Sequence, residues 1–202
     1  MSARVADPVD AIDTPALVID LDAMQRNLQR MAAFARDRQV RLRPHAKMHK
    51  SATIARLQVD AGAVGVCVQK VGEAECLAAQ GVTDIFISNE VIAPHKLARL
   101  ADLARRIRIS VAVDSALGVQ QLALALRKAG SQADVFVEVD VGQGRCGVPA
   151  TAAGALAHQV VAAGLKFAGL QAYHGSAQHL RSADERAAAV QHAVTQIGRA
   201  HV

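Results

Sequence analysis

Lysine, arginine and histidine are concentrated in one short stretch of this chain, RPHAKMHKS, residues 43–51. If the backbone is extended through Lys47, the side chains of His45 and Lys47 lie two residues apart and point to the same face. Cationic neighbours and partial burial favour the neutral lysine amine, which is the form that reacts with an aldehyde to give an imine. The alternative is a solvated basic loop, and residue chemistry alone leaves both interpretations open. Lys50, where the next helix begins, is expected to stay in solvent.

A second candidate lies in the glycine-rich sequence GQGRCG, residues 142–147. These residues match GxGxxG, but a dinucleotide site also requires an acidic residue about 20 positions further on. No Asp or Glu occurs between Asp140 and Asp184. We therefore expect the glycines to turn the backbone tightly while Arg145 points inward, where its guanidinium suits a phenolate, carboxylate or phosphate. A loop arginine in a surface salt bridge is the alternative.

A third candidate is the pair Tyr173 and His174, which contains the one tyrosine of the chain. Core packing of the phenol ring is the commoner role for a lone tyrosine. The histidine that follows at once, and a predicted place at a strand end, favour a role in a site instead. Zinc binding by the histidines is disfavoured, because neither an HExxH nor a CxxC pattern accompanies them.

Seven strand-like runs alternate with helical patterns at a spacing of about 25 residues, which favours parallel βα units. The strands are predicted at residues 15–20, 40–44, 64–68, 84–88, 109–114, 134–140 and 167–173. The helices are predicted at residues 21–38, 51–61, 71–80, 94–106, 116–129, 150–163 and from 182 onward.

Polar side chains follow almost every predicted strand, and this distinguishes between two architectures. An open doubly wound sheet concentrates its site at one switch point, whereas a (β/α)8 barrel collects functional groups from the carboxyl ends of many strands. The sequence therefore predicts a TIM-type barrel with Gln69 and Asn89 among the residues at its mouth. Only six βα units follow the first strand, so two are missing.

The composition indicates a globular protein, with 51% hydrophobic and 20% charged residues. The net charge of +5 is dispersed, and aromatic residues make up 2% of the chain, so a nucleic-acid interface is not expected. The three cysteines have no CxxC spacing and are expected to be reduced thiols. No signal peptide or membrane span is evident, and we predict a cytoplasmic protein.

The last six residues, IGRAHV, differ in character from the helical pattern that begins near Ser182. They are also the translation of a widely used sequencing-adapter sequence. We therefore predict that residues 197–202 are a non-native tail that interrupts the helix. Residues 1–12 are predicted to be a flexible N-terminus, and residues 13–196 an incomplete barrel domain.

Six segments in order resemble one enzyme family over residues 13–196. They are DTPALVIDLDAMQRNL, RPHAKMHKS, GVCVQKVGEAE, DIFISNEV, VEVDVGQGRCGV and FAGLQAYHGS. The chain resembles the D-threonine aldolase / D-serine dehydratase group, which are pyridoxal-phosphate enzymes of the alanine-racemase fold type. The resemblance implies a lyase that acts on β-hydroxy-D-amino acids, with aldolase activity preferred and a D-serine or 3-hydroxy-D-aspartate dehydratase as the alternative.

The resemblance also implies roles for individual residues. Lys47 would bind the cofactor covalently, Arg145 would lie near its phenolic oxygen, and His174 would lie against its pyridine ring. Tyr173 would sit beside the substrate. Gln69 and Asn89 would line the same mouth.

Parts of the family pattern are absent from this sequence. The resemblance places a further phosphate-binding loop, two barrel units and a C-terminal β domain after Val202. That domain would carry the ligands of a divalent metal (Mn, Zn or Mg) and would pair with the strand at 15–20. The resemblance also implies that the full-length protein is a homodimer. We expect the 202-residue chain by itself to be inactive or poorly soluble.

Two further classes stay open at this point. One is a non-catalytic pyridoxal-phosphate-binding protein built on a single barrel, against which the first strand and the Tyr173–His174 pair argue. The other is a cofactor-free aldolase in which Lys47 attacks a sugar-like substrate directly.

Overall fold

The computed structural model describes residue 4 and residues 7–200. The chain divides into two compact units, Met1–Arg41 and Leu42–Val202. The predicted barrel domain, residues 13–196, stays a prediction, as does the assignment of residues 15–20 to an absent β domain.

The first unit consists of a short 3-10 helix, Val9–Ala11, and helix α1, Leu21–Asp37. Asp20 begins α1, because its side chain accepts a hydrogen bond from the Ala23 N–H at 2.8 Å. Residues 15–20 form no strand within the described residues, and their pairing with an absent β domain stays a prediction. Leu17 is fully exposed. An apolar run of this kind forms a strand only where a neighbouring strand pairs with its backbone N–H and C=O groups.

The second unit is a parallel five-stranded sheet flanked by helices. The strands are β1 Val66–Val68, β2 Asp84–Glu90, β3 Arg108–Val113, β4 Asp134–Glu138 and β5 Lys166–Gln171. The helices are α2 Ala52–Asp60, α3 Val71–Ala78, α4 Pro94–Leu103, α5 Ala116–Ala129, α6 Ala150–Ala162 and α7 Ala183–Arg199. Strand and helix types match the predictions here, and the bounds of most elements differ by a few residues.

The strand order distinguishes the two architectures. The described strands pair as β1-β2-β3-β4-β5, each with the next along the chain. A doubly wound sheet reverses direction at a switch point, whereas a barrel adds each strand in sequence. The sheet is therefore a segment of a (β/α) barrel wall, as predicted.

The strand predicted over residues 40–44 is reduced to a single parallel bridge between His45 and Cys67. Three backbone hydrogen bonds still hold the segment beside β1, among them Cys67 N–H to the Pro44 carbonyl at 2.7 Å. Pro44 has no N–H, so it cannot donate to a regular ladder. The segment nevertheless occupies the position of a barrel strand next to β1.

The core between sheet and helices is aliphatic. Alternate residues of the strands face the helices, among them Ile85, Ile87, Val135 and Val137, and all four are buried. The other face of the sheet is the inner face of the barrel wall, where Phe86 and Phe136 have ring centroids 4.8 Å apart.

Ion pairs occupy the amino-terminal end of that inner face. Asp84, Arg108, Asp134 and Lys166 are the first residues of four successive strands, and their charges alternate. Asp134 is 2.7 Å from both Lys166 Nζ and Arg108 Nη2, and Asp84 binds Arg43 at 2.7 Å. Because the catalytic groups of such barrels lie at the carboxyl-terminal end of the strands, we infer that these ion pairs stabilise the fold.

The predicted interruption of the last helix at residue 197 is wrong. Helix α7 continues through Ile197 and Gly198 to Arg199. Residues 201 and 202 of the predicted tail lie outside the described residues, and its non-native origin stays a prediction.

Candidate functional site

The carboxyl ends of the strands bring several predicted site residues and their neighbours to one edge of the sheet, in two groups. The first, which we call the lysine group, consists of His45, Lys47, Gln69, Ser88 and Asn89. The second, which we call the arginine group, consists of Glu90, Glu138, Arg145, Gln171 and Tyr173. The two groups adjoin at the end of β2, where Asn89 is followed by Glu90.

His45 organises the lysine group. Its Nδ1 accepts a hydrogen bond from the Lys47 backbone N–H at 3.3 Å, and its Nε2 lies 3.3 Å from Ser88 Oγ. Burial, together with the nearby charge of Lys47, lowers the pKa of His45, although contact with the Gln69 side chain partly opposes this. His45 is therefore held as a neutral ring beside a partly buried lysine.

Gln69 and Asn89 are joined to this group through the backbone. Asn89 Nδ2 donates to the Gln69 carbonyl at 3.3 Å, and the Gln69 N–H donates to Glu73 at 2.9 Å. Both residues also line a cavity of about 880 Å³ that extends between α3 and α4. Lys47 does not line that cavity, nor do Arg145, Tyr173 or His174.

The loop after β4 positions the predicted arginine. Asp140 Oδ1 accepts from the N–H groups of Gly142 and Gly144 at 2.9 and 3.1 Å, and these hydrogen bonds lower the pKa of Asp140. The loop brings the Arg145 guanidinium over the Tyr173 ring, 5.2 Å from its centroid. Sequence analysis predicted both residues, and the structure places them in contact.

Gly147 closes this loop and has no room for a side chain. Its φ is +101°, and a Cβ there would lie 2.6 Å from the Asp140 backbone nitrogen. Its N–H donates to Asp114 at 3.2 Å. The loop therefore depends on glycine at this position.

Replacing Gly147 by alanine is expected to destabilise the protein by more than about 1 kcal/mol, because backbone atoms have to move. Gly144→Ala is the matched control, since Gly144 also has a positive φ, +66°, but has open space around it. Urea unfolding of the intact protein measures both variants. An equal loss of unfolding free energy in both variants would show that the contact with the Asp140 backbone is not the cause of the effect at Gly147.

His174 lies against the same loop. A Cβ on Gly142 would come within 3.1 Å of the His174 ring, and His174 Nδ1 is 3.0 Å from Ser176 Oγ. The ring is therefore held at the barrel mouth beside the arginine group. Within the part of the chain that the structure describes, no histidine belongs to a group of three potential metal ligands, so the disfavoured zinc interpretation gains no support.

Sequence analysis missed the most buried charged residue of the mouth, Glu138. Its side chain is 4% exposed, and burial followed by the neighbouring Glu90 raises its pKa to about 8. An acidic residue at an inward-facing position of the apolar strand DVFVE was the available signal.

The three cysteines are free, as predicted, and burial raises the pKa of Cys67 to about 11.

This geometry can be compared with known proteins. The profile of the alanine racemase N-terminal domain matches residues 19–202. The chain belongs to this family.

No described helix combines the length and apolar character that a membrane crossing requires.

Three members of the wider group are similar to this alanine racemase N-terminal domain. A D-threonine aldolase from Arthrobacter sp is 54% identical over 187 residues, which are 92% of this chain and 49% of that protein. The crystal structure of a D-threonine aldolase from Filomicrobium marinum matches with a TM-score of 0.96 and 48% identity, over 98% of this chain and 54% of that one. D-threo-3-hydroxyaspartate dehydratase from Delftia sp. HT23 matches with a TM-score of 0.81 and 35% identity, over 94% of this chain and 53% of that one. The chain spans about half the length of the curated relatives it matches.

Proposed function

We propose that the protein containing this chain is a pyridoxal-phosphate-dependent lyase of β-hydroxy-D-amino acids, which cleaves D-threonine-like substrates to glycine and an aldehyde. The observation that carries the proposal is the position of Lys47, partly buried beside a neutral His45 at the barrel mouth. The 54% identity to a D-threonine aldolase supports the choice of reaction.

The residues present fit the cofactor by the chemistry of their side chains. Lys47 offers an amine to its aldehyde, Arg145 a guanidinium to its phenolic oxygen, and His174 an imidazole to its ring. When bound, pyridoxal phosphate accepts the electron pair released at the substrate α-carbon. In this arrangement Lys47 would hold the cofactor in place, and Arg145 would stabilise negative charge.

The remaining side chains of the proposed site position Arg145 and hold the surrounding loops in place. Tyr173 supports the guanidinium of Arg145 through its ring. In the proposed reaction it would sit beside the substrate. Gln69 and Asn89 fix the loop that follows β1 against the end of β2. The divalent metal, the homodimer and the cytoplasmic location also remain proposals, as does the absence of nucleic-acid and membrane partners.

Assays of the intact protein with D-threonine and D-serine test the reaction. We expect acetaldehyde and glycine from D-threonine, since the Cα–Cβ bond breaks, and little ammonia from D-serine. We also expect a chelator to abolish turnover and Mn, Zn or Mg to restore it. Turnover that a chelator leaves unchanged would contradict the metal requirement.

Dehydration is the second candidate, because the fold also matches a D-threo-3-hydroxyaspartate dehydratase with a TM-score of 0.81. In that reaction the α-proton and the β-hydroxyl leave, and a keto acid and ammonia form. Ammonia release from D-serine or 3-hydroxy-D-aspartate, without an aldehyde product, would replace the aldolase proposal by this one.

A further inference from the structure

Glu138 lies at the centre of the arginine group. It ends β4, faces the inside of the barrel wall, and pairs in register with Gln171 of β5. Its side chain is almost completely removed from solvent. A carboxyl group in such a place requires partners for its oxygens or a proton of its own.

Two nitrogen-bearing side chains lie against the oxygens of Glu138. Gln171 Nε2 donates to Oε2, and Arg145 Nη2 lies 3.7 Å from Oε1. Arg145 thus stands between the Tyr173 ring on one side and a buried carboxyl on the other. The Tyr173 ring sets the distance at which the guanidinium stacks above it. The Glu138 carboxyl is the charged group placed to set the orientation of the guanidinium.

The charges around Glu138 do not balance. Glu90 of β2 contacts the Glu138 carboxyl. The polar side-chain atoms of Glu90, Asp114 and Cys146 lie within 4.8 Å of one another. Among the groups that interact with Glu138, Arg145 is the cation.

Two buried oxygens near this pair, Glu90 Oε1 and Gln171 Oε1, accept no hydrogen bond within the described residues. Two contacting carboxylates strongly disfavour full ionisation of both. A carboxyl proton would supply the missing donor to one of the two oxygens. The arrangement therefore suits a pair of carboxyl groups that holds one proton.

We propose that Glu138 is a positioning residue for Arg145, and that the Glu90–Glu138 pair holds one proton whose loss lets Glu138 bind the guanidinium. Among the described residues, the charged or titratable groups around the pair are Asp114 and Cys146, which lie beside Glu90, and Arg145, which lies beside Glu138. Tyr173 contacts Arg145. The proposal rests on the proposed function only in the role given to Arg145. It adds a group that sets the direction of that arginine.

The first test requires no cofactor. Infrared spectroscopy of the intact, unloaded protein is expected to show a protonated carboxylic acid that ionises near pH 8. The band should be absent in Glu138→Gln and should ionise at lower pH in Glu90→Gln. Asp102→Asn, which removes an exposed carboxylate, is the control and should leave the band unchanged. A band that persists in Glu138→Gln, or its absence from the wild type, would overturn the proposal.

Stability gives a second readout without cofactor. Because the pKa of Glu138 is higher in the folded protein than in the unfolded chain, its contribution to stability is full below pH 4.5 and is lost as the pH rises toward 8. The folding equilibrium of the wild type should therefore weaken relative to Glu138→Gln over this range, by up to about tenfold per pH unit. Parallel pH curves for the two proteins would contradict the raised pKa.

The positioning role is tested by the affinity for pyridoxal phosphate as a function of pH. We expect wild-type affinity to increase as Glu138 ionises, and Glu138→Gln to bind about tenfold more weakly at pH 9 and to lack this increase. Glu138→Asp, which keeps the charge, should restore most of the pH dependence. A uniform loss in both variants would indicate a merely structural residue and overturn the positioning role.

Failure of this inference is distinguishable from failure of the proposed function. If the cofactor does not attach to Lys47, the proposed function fails, while the infrared band and the stability profile still report on the carboxyl pair. If the cofactor attaches to Lys47 but the carboxylic acid band is absent, only the inference about Glu138 fails.

Discussion

Replacing Lys47 by alanine is expected to abolish covalent attachment of pyridoxal phosphate and to lower lyase activity about a thousandfold or more. The reason is that Lys47 supplies the amine at the barrel mouth, beside a neutral His45. Borohydride treatment of the intact protein with the cofactor, followed by digestion and mass spectrometry, identifies the modified peptide. In the wild type the pyridoxyl group should be on Lys47.

Lys50→Ala is the matched control for this experiment. Lys50 lies three residues further along the same segment, and its side chain is exposed. Its backbone has a φ of +51° and its N–H donates to the Ala46 carbonyl, so its visible role is in the turn that leads into α2. Attachment and activity should therefore survive in Lys50→Ala. Loss of the adduct in Lys50→Ala, with retention in Lys47→Ala, would show that the choice of lysine is wrong.

The second large effect is expected at the opposite end of the barrel wall. Asp134→Asn should lower the free energy of unfolding by about 2–3 kcal/mol, because charge-assisted hydrogen bonds to a buried carboxylate are lost. The Asp134 side chain is 7% exposed and accepts from Arg108 Nη2 and Nε at 2.7 and 3.0 Å, and from Lys166 Nζ at 2.7 Å. Arg108 and Lys166 are mostly exposed, so water can solvate both cations in the variant.

The pH dependence of this loss gives an independent check. Burial raises the pKa of Asp134, but hydrogen bonds from Lys166 and Arg108 outweigh it, and the pKa is lowered below 3.8. The stabilisation is therefore complete above the ordinary pKa and decreases as the pH falls through the folded value. Urea unfolding at several pH values should show wild type and Asp134→Asn converging in acid. Convergence at alkaline pH instead would contradict the assignment.

Asp102→Asn is the control for the ion pair. Asp102, in the last turn of α4, is 73% exposed and lies 3.9 Å from Arg105, just after the end of that helix. A surface pair of this kind contributes less than about 1 kcal/mol. A loss at Asp102 as large as that at Asp134 would show that burial is not the cause of the effect.

The helices, the βα alternation and the identity of the reactive side chains could be predicted from the amino-acid sequence. Helix α5 has the predicted bounds, Ala116–Ala129, since local signals mark both ends: Ser115 accepts a hydrogen bond at the start and Gly130 adopts a left-handed φ at the end. These signals act within a few residues, so they can be read without knowledge of the fold. The motif containing Arg145 and the pair Tyr173–His174 were also evident from residue types alone.

The folded structure was needed to show which elements pair and which side chains come into contact. The segment 15–20 has the composition of a strand but no partner within the described residues, while residues 42–46 contain a proline and still lie beside β1. The contact of Glu138 with Glu90 and Arg145 joins two strands and a loop, and Glu90 lies far from the other two residues along the chain. Burial and neighbouring charges set the pKa of such a group, and both are created only when distant strands come together. The physical reason is that pairing and desolvation depend on partners elsewhere in the chain, whereas helix propensity and chemical identity are local.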